Sequence, residues 1–268
     1  MIVYVPKVDG GIWIDASGDT AAFPGIDWSL EEQYAFVVNG KGGEVKQVSR
    51  NNYLTNHIDI DVEYNFLKQA NKIDAVLKFS LDGHLGETYK YVSKYSDDPE
   101  ENIRKIIDYL YRDVRIKRIM IDDNIGLNKP FVIRTELVFD DAWSSDERTE
   151  YSYSGSVKAY LDIFSDIMNL PRPEKRENDL HLGYEFTMDI KETYGSPGTE
   201  FVPSIVSQNR VINNDYFEYK HDLTNQKTKV ISQVKFVLKD RYITKSNYQK
   251  FHKQYEQVVD EGFWQVNY

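Results

Sequence analysis

Short runs in which apolar and polar residues alternate recur along most of the chain. In residues 57–64, every second residue is apolar, and the residues between them are a histidine and three carboxylates. A period of two residues is typical of a β-strand with one buried and one solvated face. The predicted strands, several of them separated by glycine-containing turns, cover residues 2–5, 12–15, 34–38, 44–48, 57–64, 73–81, 88–95, 114–121, 131–139, 184–190, 201–206, 216–221 and 229–238.

Two segments have helical spacing instead. In the first, Asp98 can cap a helix and Pro99 can occupy its first turn, because proline needs no hydrogen-bond partner there. In the second, Thr244 is the predicted cap. The apolar stripes of the two helices are Ile103, Ile106, Ile107 and Leu110 in the first and Tyr248, Phe251, Tyr255, Val258 and Val259 in the second. The pattern therefore predicts a mainly β chain with two helices, of the α+β class.

The length of 268 residues suits two ordinary domains. The polar, irregular residues 143–147 favour a boundary between them. We therefore expect tandem antiparallel β-sandwich-like domains at residues 27–146 and 147–268, preceded by a separate β-hairpin within residues 1–26.

Composition excludes several classes of function. The net charge of −10 repels phosphate backbones, so nucleic acid is not an expected partner. The chain has no cysteine, which removes disulfides, thiolate zinc sites and thiol nucleophiles from it. No window holds the 18 or so consecutive apolar residues of a membrane-spanning helix.

Motifs for cofactors are missing as well. The five histidines are scattered without metal-ligand spacing, and no glycine-rich nucleotide-binding motif occurs. No cofactor or metal is therefore predicted. The carboxylates Asp59, Asp61 and Glu63 raise the alternative of a calcium site, but side chains two apart on a flat strand diverge, which favours a solvated strand face.

One short stretch suggests a specific ancestry. A strand at residues 2–5 is followed by Gly10-Gly11, then by Ile12-Trp13-Ile14-Asp15-Ala16-Ser17, and then by Phe23-Pro24-Gly25. This arrangement resembles the end of a bacterial transglutaminase-like domain of the Cys-His-Asp class. It is most similar to proteins in which such a core is flanked by β-rich domains of unknown function, DUF3857 and DUF3858. Members usually have Asp-Pro-Thr where this chain has Asp15-Ala16-Ser17.

The resemblance implies a role for one catalytic position. Asp15 would be the acid that orients the histidine of a Cys-His-Asp triad, and the histidine and cysteine would lie upstream of Met1. Residues 1–26 would then be the terminal hairpin of the transglutaminase-like core. The resemblance also implies export from a bacterial cell, to the periplasm or the exterior.

Two functions follow as expectations. The first is a non-catalytic β-sandwich module, structural or binding protein or glycan, placed C-terminal to a transglutaminase-like acyltransferase or protease core. The alternative is one part of a Cys-His-Asp enzyme that upstream residues complete. The 20 tyrosines fit sheet packing, but they also allow sugar stacking, for which Trp143, Tyr151 and Tyr153 are the candidates.

Overall fold

The computed structural model describes residues 2–6, 11–15, 25–50, 56–67, 70–111, 113–122, 129–140, 152–164, 176–196, 204–205, 209–226, 228–261 and 263–267. The first nine strands are β1 (Ile2–Val5), β2 (Ile12–Asp15), β3 (Tyr34–Asn39), β4 (Gly42–Gln47), β5 (His57–Leu67), β6 (Lys72–Leu81), β7 (Arg115–Ile121), β8 (Phe131–Asp140) and β9 (Ser152–Ser156). The other strands are β10 (Leu180–His181), β11 (Phe186–Gly195), β12 (Ser204–Ile205), β13 (Arg210–Asn213), β14 (Phe217–Gln226), β15 (Lys229–Leu238), β16 (Tyr242–Ile243) and β17 (Phe263–Asn267). The helices are α1 (Gly83–Tyr95), α2 (Pro99–Leu110), α3 (Val157–Phe164) and α4 (Tyr248–Glu261).

An eight-stranded sheet forms the centre of the described structure. Its strands lie in the order β13-β14-β15-β11-β5-β6-β8-β7. The two middle strands, β5 and β11, run parallel, and every other neighbouring pair runs antiparallel. The mainly β prediction is therefore confirmed, and the large sheet is mixed rather than purely antiparallel.

The tandem arrangement of two sandwiches is not confirmed. Strands β5 to β8 come from residues 27–146, and strands β11 and β13 to β15 come from residues 147–268, yet all eight share this one sheet. The expected boundary near residue 146 lies outside the described residues. The division into two domains stays a prediction, although both segments supply side chains to one hydrophobic cluster.

The sheet buries one face and leaves much of the other in water. The alternation in β5 is as predicted: Ile58, Ile60, Val62 and Tyr64 are almost fully buried, while the residues between them point to the solvated face. The buried face packs against apolar side chains of α2, α3 and α4 in one cluster. The helices thus cover one side of the sheet.

Both predicted helices are present. Asp98 caps α2, because its Oδ1 accepts hydrogen bonds from the backbone N–H groups of Glu100 and Glu101, each at 3.1 Å. The predicted stripe of α4 is buried in the core, with Val259 at its margin. Thr244 differs from prediction: it precedes a short 3₁₀ turn, makes no capping bond, and lies 3.1 Å from the Ser246 hydroxyl.

Two further helices were not predicted, and the strand expected at residues 88–95 is wrong. That segment belongs to α1, which begins after Asp82, whose carboxylate accepts from the Gly83 N–H at 2.9 Å. The tyrosines of this segment favour a strand, but Tyr91 and Tyr95 lie in solvent. The buried residues of α1 are His84, Gly86 and Lys90, which have no strand-like alternation of apolar and polar side chains. Helix α3 was not predicted at all.

The N-terminal segment forms two small hairpins. Strands β1 and β2 pair antiparallel with the predicted bounds, and β3 pairs with β4 in the same way. Trp13, Ile26 and Val48 are the buried residues of a second, smaller hydrophobic cluster. That the first hairpin is a remnant of another core stays a prediction.

The length and apolarity of the described helices show whether any of them could span a membrane. None of them combines the length and the apolarity that crossing a bilayer requires.

Candidate functional site

Asp15 is the last residue of β2. It pairs with Ile2 across the hairpin, is half-buried, and its backbone N–H donates to the Gly25 carbonyl at 2.9 Å. This bond joins the end of the hairpin to the segment that leads into β3. The structure thus places the predicted acid at the end of a paired strand, and its role in a triad stays a prediction.

The first hairpin is apolar on both faces. On one face, Ile2, Tyr4 and Trp13 belong to the small N-terminal cluster, and Asp15 lies at the end of the same face as the partner of Ile2. The opposite face, which we call the first-hairpin face, consists of Val3, Val5, Ile12 and Ile14. Val3 is 45% exposed and the other three are only partly buried. Strands that are apolar on both sides are typical of the interior of a larger assembly of sheets or helices.

The second hairpin also exposes apolar side chains. Ala35 and Val37 face the small cluster, whereas Tyr34, Phe36 and Val38 on the other side of β3 are 76%, 66% and 77% exposed. Val45 pairs with Phe36 and is 65% exposed. Large apolar residues grouped on a surface in this way are common at sites of protein–protein contact.

A buried ionic junction ties the hairpins to the main sheet. Arg241 follows β15 and is 1% exposed; its guanidinium donates to Glu31 at 2.5 Å, to the Gly183 carbonyl at 3.0 Å and to Glu32 at 3.2 Å. Glu31 and Glu32 lie in the turn before β3. The junction therefore sets the position of the N-terminal segment against the C-terminal part of the sheet.

His84, at the start of α1, is part of the same junction. Its Nε2 lies 3.5 Å from Glu31 and its Nδ1 lies 3.7 Å from Glu87. Burial lowers the pKa of His84, but hydrogen bonding and charge attraction to Glu31 and Glu87 together outweigh burial and raise the pKa to about 9. The imidazolium is thus a second positive charge in the junction, beside the guanidinium of Arg241, at neutral pH.

A second buried carboxylate lies in the core. Glu192 is 1% exposed; the hydroxyl of Tyr160 donates to its Oε1 at 2.7 Å, and the hydroxyl of Tyr194 donates to its Oε2. Because both oxygens accept hydrogen bonds, this group is a satisfied polar element of the core. It links α3 to β11.

The solvated face of the large sheet carries charged side chains near its centre. A shallow depression of about 460 Å³ lies over β5, β11, β14 and β15. Its charged and polar lining residues are Asp59, Asp61, Asp189, Lys191, Lys220, Asp222, Gln233 and Lys235. The face is thus of mixed charge, with acidic groups on β5, β11 and β14.

Three side chains converge at the edge of this depression. Nε2 of His57 lies 2.7 Å from Oδ2 of Asp189 and 3.5 Å from Oδ1 of Asp59. Asp59 and Asp189 are paired in the parallel ladder, and His57 is two residues before Asp59 on the same face. We call His57, Asp59 and Asp189 the His-Asp-Asp cluster.

Sequence reasoning did not find this cluster. The carboxylates considered for calcium, Asp59, Asp61 and Glu63, do lie in a row on the outer face of β5, but Asp59 meets a histidine and an acid of the neighbouring strand. His57 and Asp189 are 132 positions apart in the chain. No local signal predicts which strand pairs with β5, so no spacing rule could have joined them.

The aromatic candidates for sugar stacking lie largely outside the described structure. Trp143 and Tyr151 are outside the described residues. Tyr153 belongs to β9, of which only the backbone is described. The glycan-binding surface thus stays a prediction.

Comparison with known families gives one match. Residues 160–265 match the model of a family described as a domain of unknown function with a solved structure, DUF3858. The matched segment runs from α3 to β17 and covers less than half of the chain. No protein with a curated description matches. The C-terminal segment is therefore similar to DUF3858, and this part of the predicted resemblance is confirmed. The transglutaminase-like context stays a prediction.

Proposed function

We propose that this chain is a non-catalytic accessory module that binds a transglutaminase-like core through the first-hairpin face. The observation that carries the proposal is that the described strands β1 and β2 present apolar side chains on both faces, while the small cluster, among the described residues, includes side chains from one of these faces. A two-stranded hairpin is marginally stable by itself, so a second covering layer would stabilise it.

The chemistry of the proposed occupant follows from Asp15. An orienting acid needs an imidazole and a nucleophile, and this chain has no cysteine. Asp15 shares the opposite face of the hairpin with its partner Ile2, so a polypeptide that carries the cysteine and histidine and packs on Val3, Val5, Ile12 and Ile14 would have to extend round the end of β2 to reach the Asp15 carboxylate. Such a module would act where the core acts, which the resemblance implies is outside the cytoplasm.

Binding is the first test. A transglutaminase-like polypeptide that carries the cysteine and histidine is purified and titrated with wild type, Val3→Lys and Val211→Lys by calorimetry. Val211 is the matched control, because it is also an exposed valine, 67% accessible, but lies on β13 at the far edge of the sheet. We expect Val3→Lys to weaken binding by about tenfold or more and Val211→Lys to bind as wild type does.

Two results would contradict the accessory module. Equal binding by Val3→Lys and wild type would exclude the first-hairpin face as the contact. Hydrolysis of a peptide or amide by the purified chain, abolished in Asp15→Ala, would show that the chain is an enzyme by itself.

The second candidate is the alternative in which Asp15 completes the active site in trans. Its position at the end of a strand, with the backbone held by Gly25, is the observation that favours it. In that case Asp15→Asn would lower acyl transfer by the reconstituted complex by about 10⁴-fold, because the histidine would adopt the wrong tautomer, and binding would be unchanged. An unchanged rate in Asp15→Asn would exclude this candidate and leave the accessory module.

A further inference from the structure

The His-Asp-Asp cluster brings together three groups that can ligate a metal. The ligand atoms of His57, Asp59 and Asp189 all lie within 4.8 Å of one another. Within the described part of the chain they are the one set of three such residues with this spacing. Imidazole nitrogen with two carboxylate oxygens is a donor set used by first-row transition ions.

The strands hold these residues in rigid positions. β5 and β11 are the two central strands of the large sheet, and their inner residues Ile58, Ile60 and Met188 are almost fully buried. The in-register pair of Asp59 and Asp189 fixes the spacing between the two acids. Sites built on packed strands vary less in geometry than sites on loops.

The surroundings leave room for further ligands. The side chains of His57, Asp59 and Asp189 are 38%, 56% and 42% exposed, so water can reach the cluster from the solvent side. The adjoining depression is also lined by Asp61, whose Oδ1 is buried and has no hydrogen-bond partner among the described residues. An acceptor of this kind can receive a hydrogen bond from a metal-bound water.

We propose that the His-Asp-Asp cluster is a mononuclear zinc site, with Nε2 of His57 and one oxygen each of Asp59 and Asp189 as ligands and water completing the coordination. Zinc–ligand bonds of about 2.0–2.2 Å place tetrahedral ligands about 3.4 Å apart. The observed separations of 2.7 Å and 3.5 Å lie on either side of that value. Small side-chain rotations therefore suffice for ligation.

The ligand set distinguishes zinc from calcium. Calcium prefers six to eight oxygen ligands, whereas this cluster offers one nitrogen and two acids. Lys235 is the ladder neighbour of Asp189 on β15 and adds a positive charge to the surroundings of the cluster. The site is thus expected to be open and of moderate affinity, as at an exchangeable or catalytic zinc with free positions, rather than a closed structural one.

The test is metal binding by the untagged 268-residue chain after removal of metal with a chelator. Zn²⁺ is titrated by calorimetry, and Co²⁺ is added separately because its visible absorbance reports coordination. We expect one Zn²⁺ per chain, and a loss of affinity of about tenfold or more in both His57→Gln and Asp189→Asn. Circular dichroism is expected to be unchanged, since both side chains lie on the solvated face.

The matched control is His252→Gln. His252 is a partly exposed histidine whose carboxylate partner among the described residues is Glu256, at 3.4 Å, and no set of three ligands includes it there. Its substitution is expected to leave Zn²⁺ affinity unchanged. The proposal is overturned if wild type binds Zn²⁺ no more tightly than His57→Gln and Asp189→Asn, if His252→Gln weakens binding as much as they do, or if Ca²⁺ binds in preference to Zn²⁺.

Discussion

At the scale of single residues, the pair of Arg241 and Glu31 carries the strongest energetic consequence. Both are almost fully buried, and the guanidinium is the nearest charged partner of Glu31, so removing it leaves a buried carboxylate poorly compensated. Arg241→Met keeps most of the volume but leaves Glu31 buried with the more distant His84 imidazolium in place of the guanidinium. We expect it to lower the free energy of unfolding by about 3–5 kcal/mol, measured by urea denaturation.

Two further variants make this prediction specific. Lys105→Ala removes an exposed ion pair with Glu101 and should cost less than about 1 kcal/mol. The double variant Arg241→Met/Glu31→Leu removes both charges and should be more stable than Arg241→Met alone. A double variant that is less stable than Arg241→Met would contradict the role of the Glu31 carboxylate in that loss.

His221 predicts a loss of stability in acid. It is 1% exposed on β14, with Nε2 3.0 Å from the hydroxyl of Ser232, and burial lowers its pKa to about 4. Because the unfolded imidazole has its ordinary pKa of about 6.5, the unfolded state binds the proton more readily. The stabilisation is therefore full above pH 6.5 and declines, by up to about 3 kcal/mol, as the pH falls toward 4.

The measurement compares unfolding free energies at pH 7.5 and pH 4.5 in wild type and His221→Gln. Acid should destabilise the variant less than wild type, since the variant lacks the imidazole that titrates. His252→Gln, which changes a surface histidine, should keep the wild-type pH dependence. If His221→Gln and wild type lose the same free energy in acid, burial of His221 does not have this effect.

At the scale of elements, α1 shows how a local pattern can mislead. Its aromatic residues favour a strand, but the buried positions include Gly86, where a Cβ atom would lie 2.3 Å from the Leu81 carbonyl oxygen. This close approach lets α1 pack against the end of β6. Tertiary contact thus decides the structure of a segment whose propensity favours the other state.

Gly86→Ala tests that contact. Alanine favours a helix over glycine by about 1 kcal/mol, so an unpacked helix would be stabilised. Here we expect a net loss of about 1–3 kcal/mol in unfolding free energy, because the backbone must shift to admit the methyl group. Gly40→Ala, at a turn with open space around the glycine, is the control and should change stability by less than about 0.5 kcal/mol. A more stable Gly86→Ala variant would contradict the close packing.

At the scale of the whole molecule, the parallel pairing of β5 with β11 joins the two halves of the chain. Because strands from both predicted domains share one sheet and one core, we expect the two segments to unfold in a single cooperative step. Hydrogen exchange followed by mass spectrometry should give one global opening free energy for peptides from β5, β6, β14 and β15. Separate opening energies for residues 57–81 and 217–238 would instead support two domains at 27–146 and 147–268.

The amino-acid sequence by itself determined the elements whose signals are local. Alternation in β5, the bounds of the first hairpin, the Asp98 cap of α2 and the apolar stripe of α4 all depend on residues a few positions apart. Only the tertiary structure decided which strands are neighbours. It placed Asp189 beside His57 and Arg241 beside Glu31, and it buried Gly86 against β6. Strand pairing depends on packing and chain closure over more than a hundred residues, and nothing in a local pattern of apolar and polar positions specifies the partner.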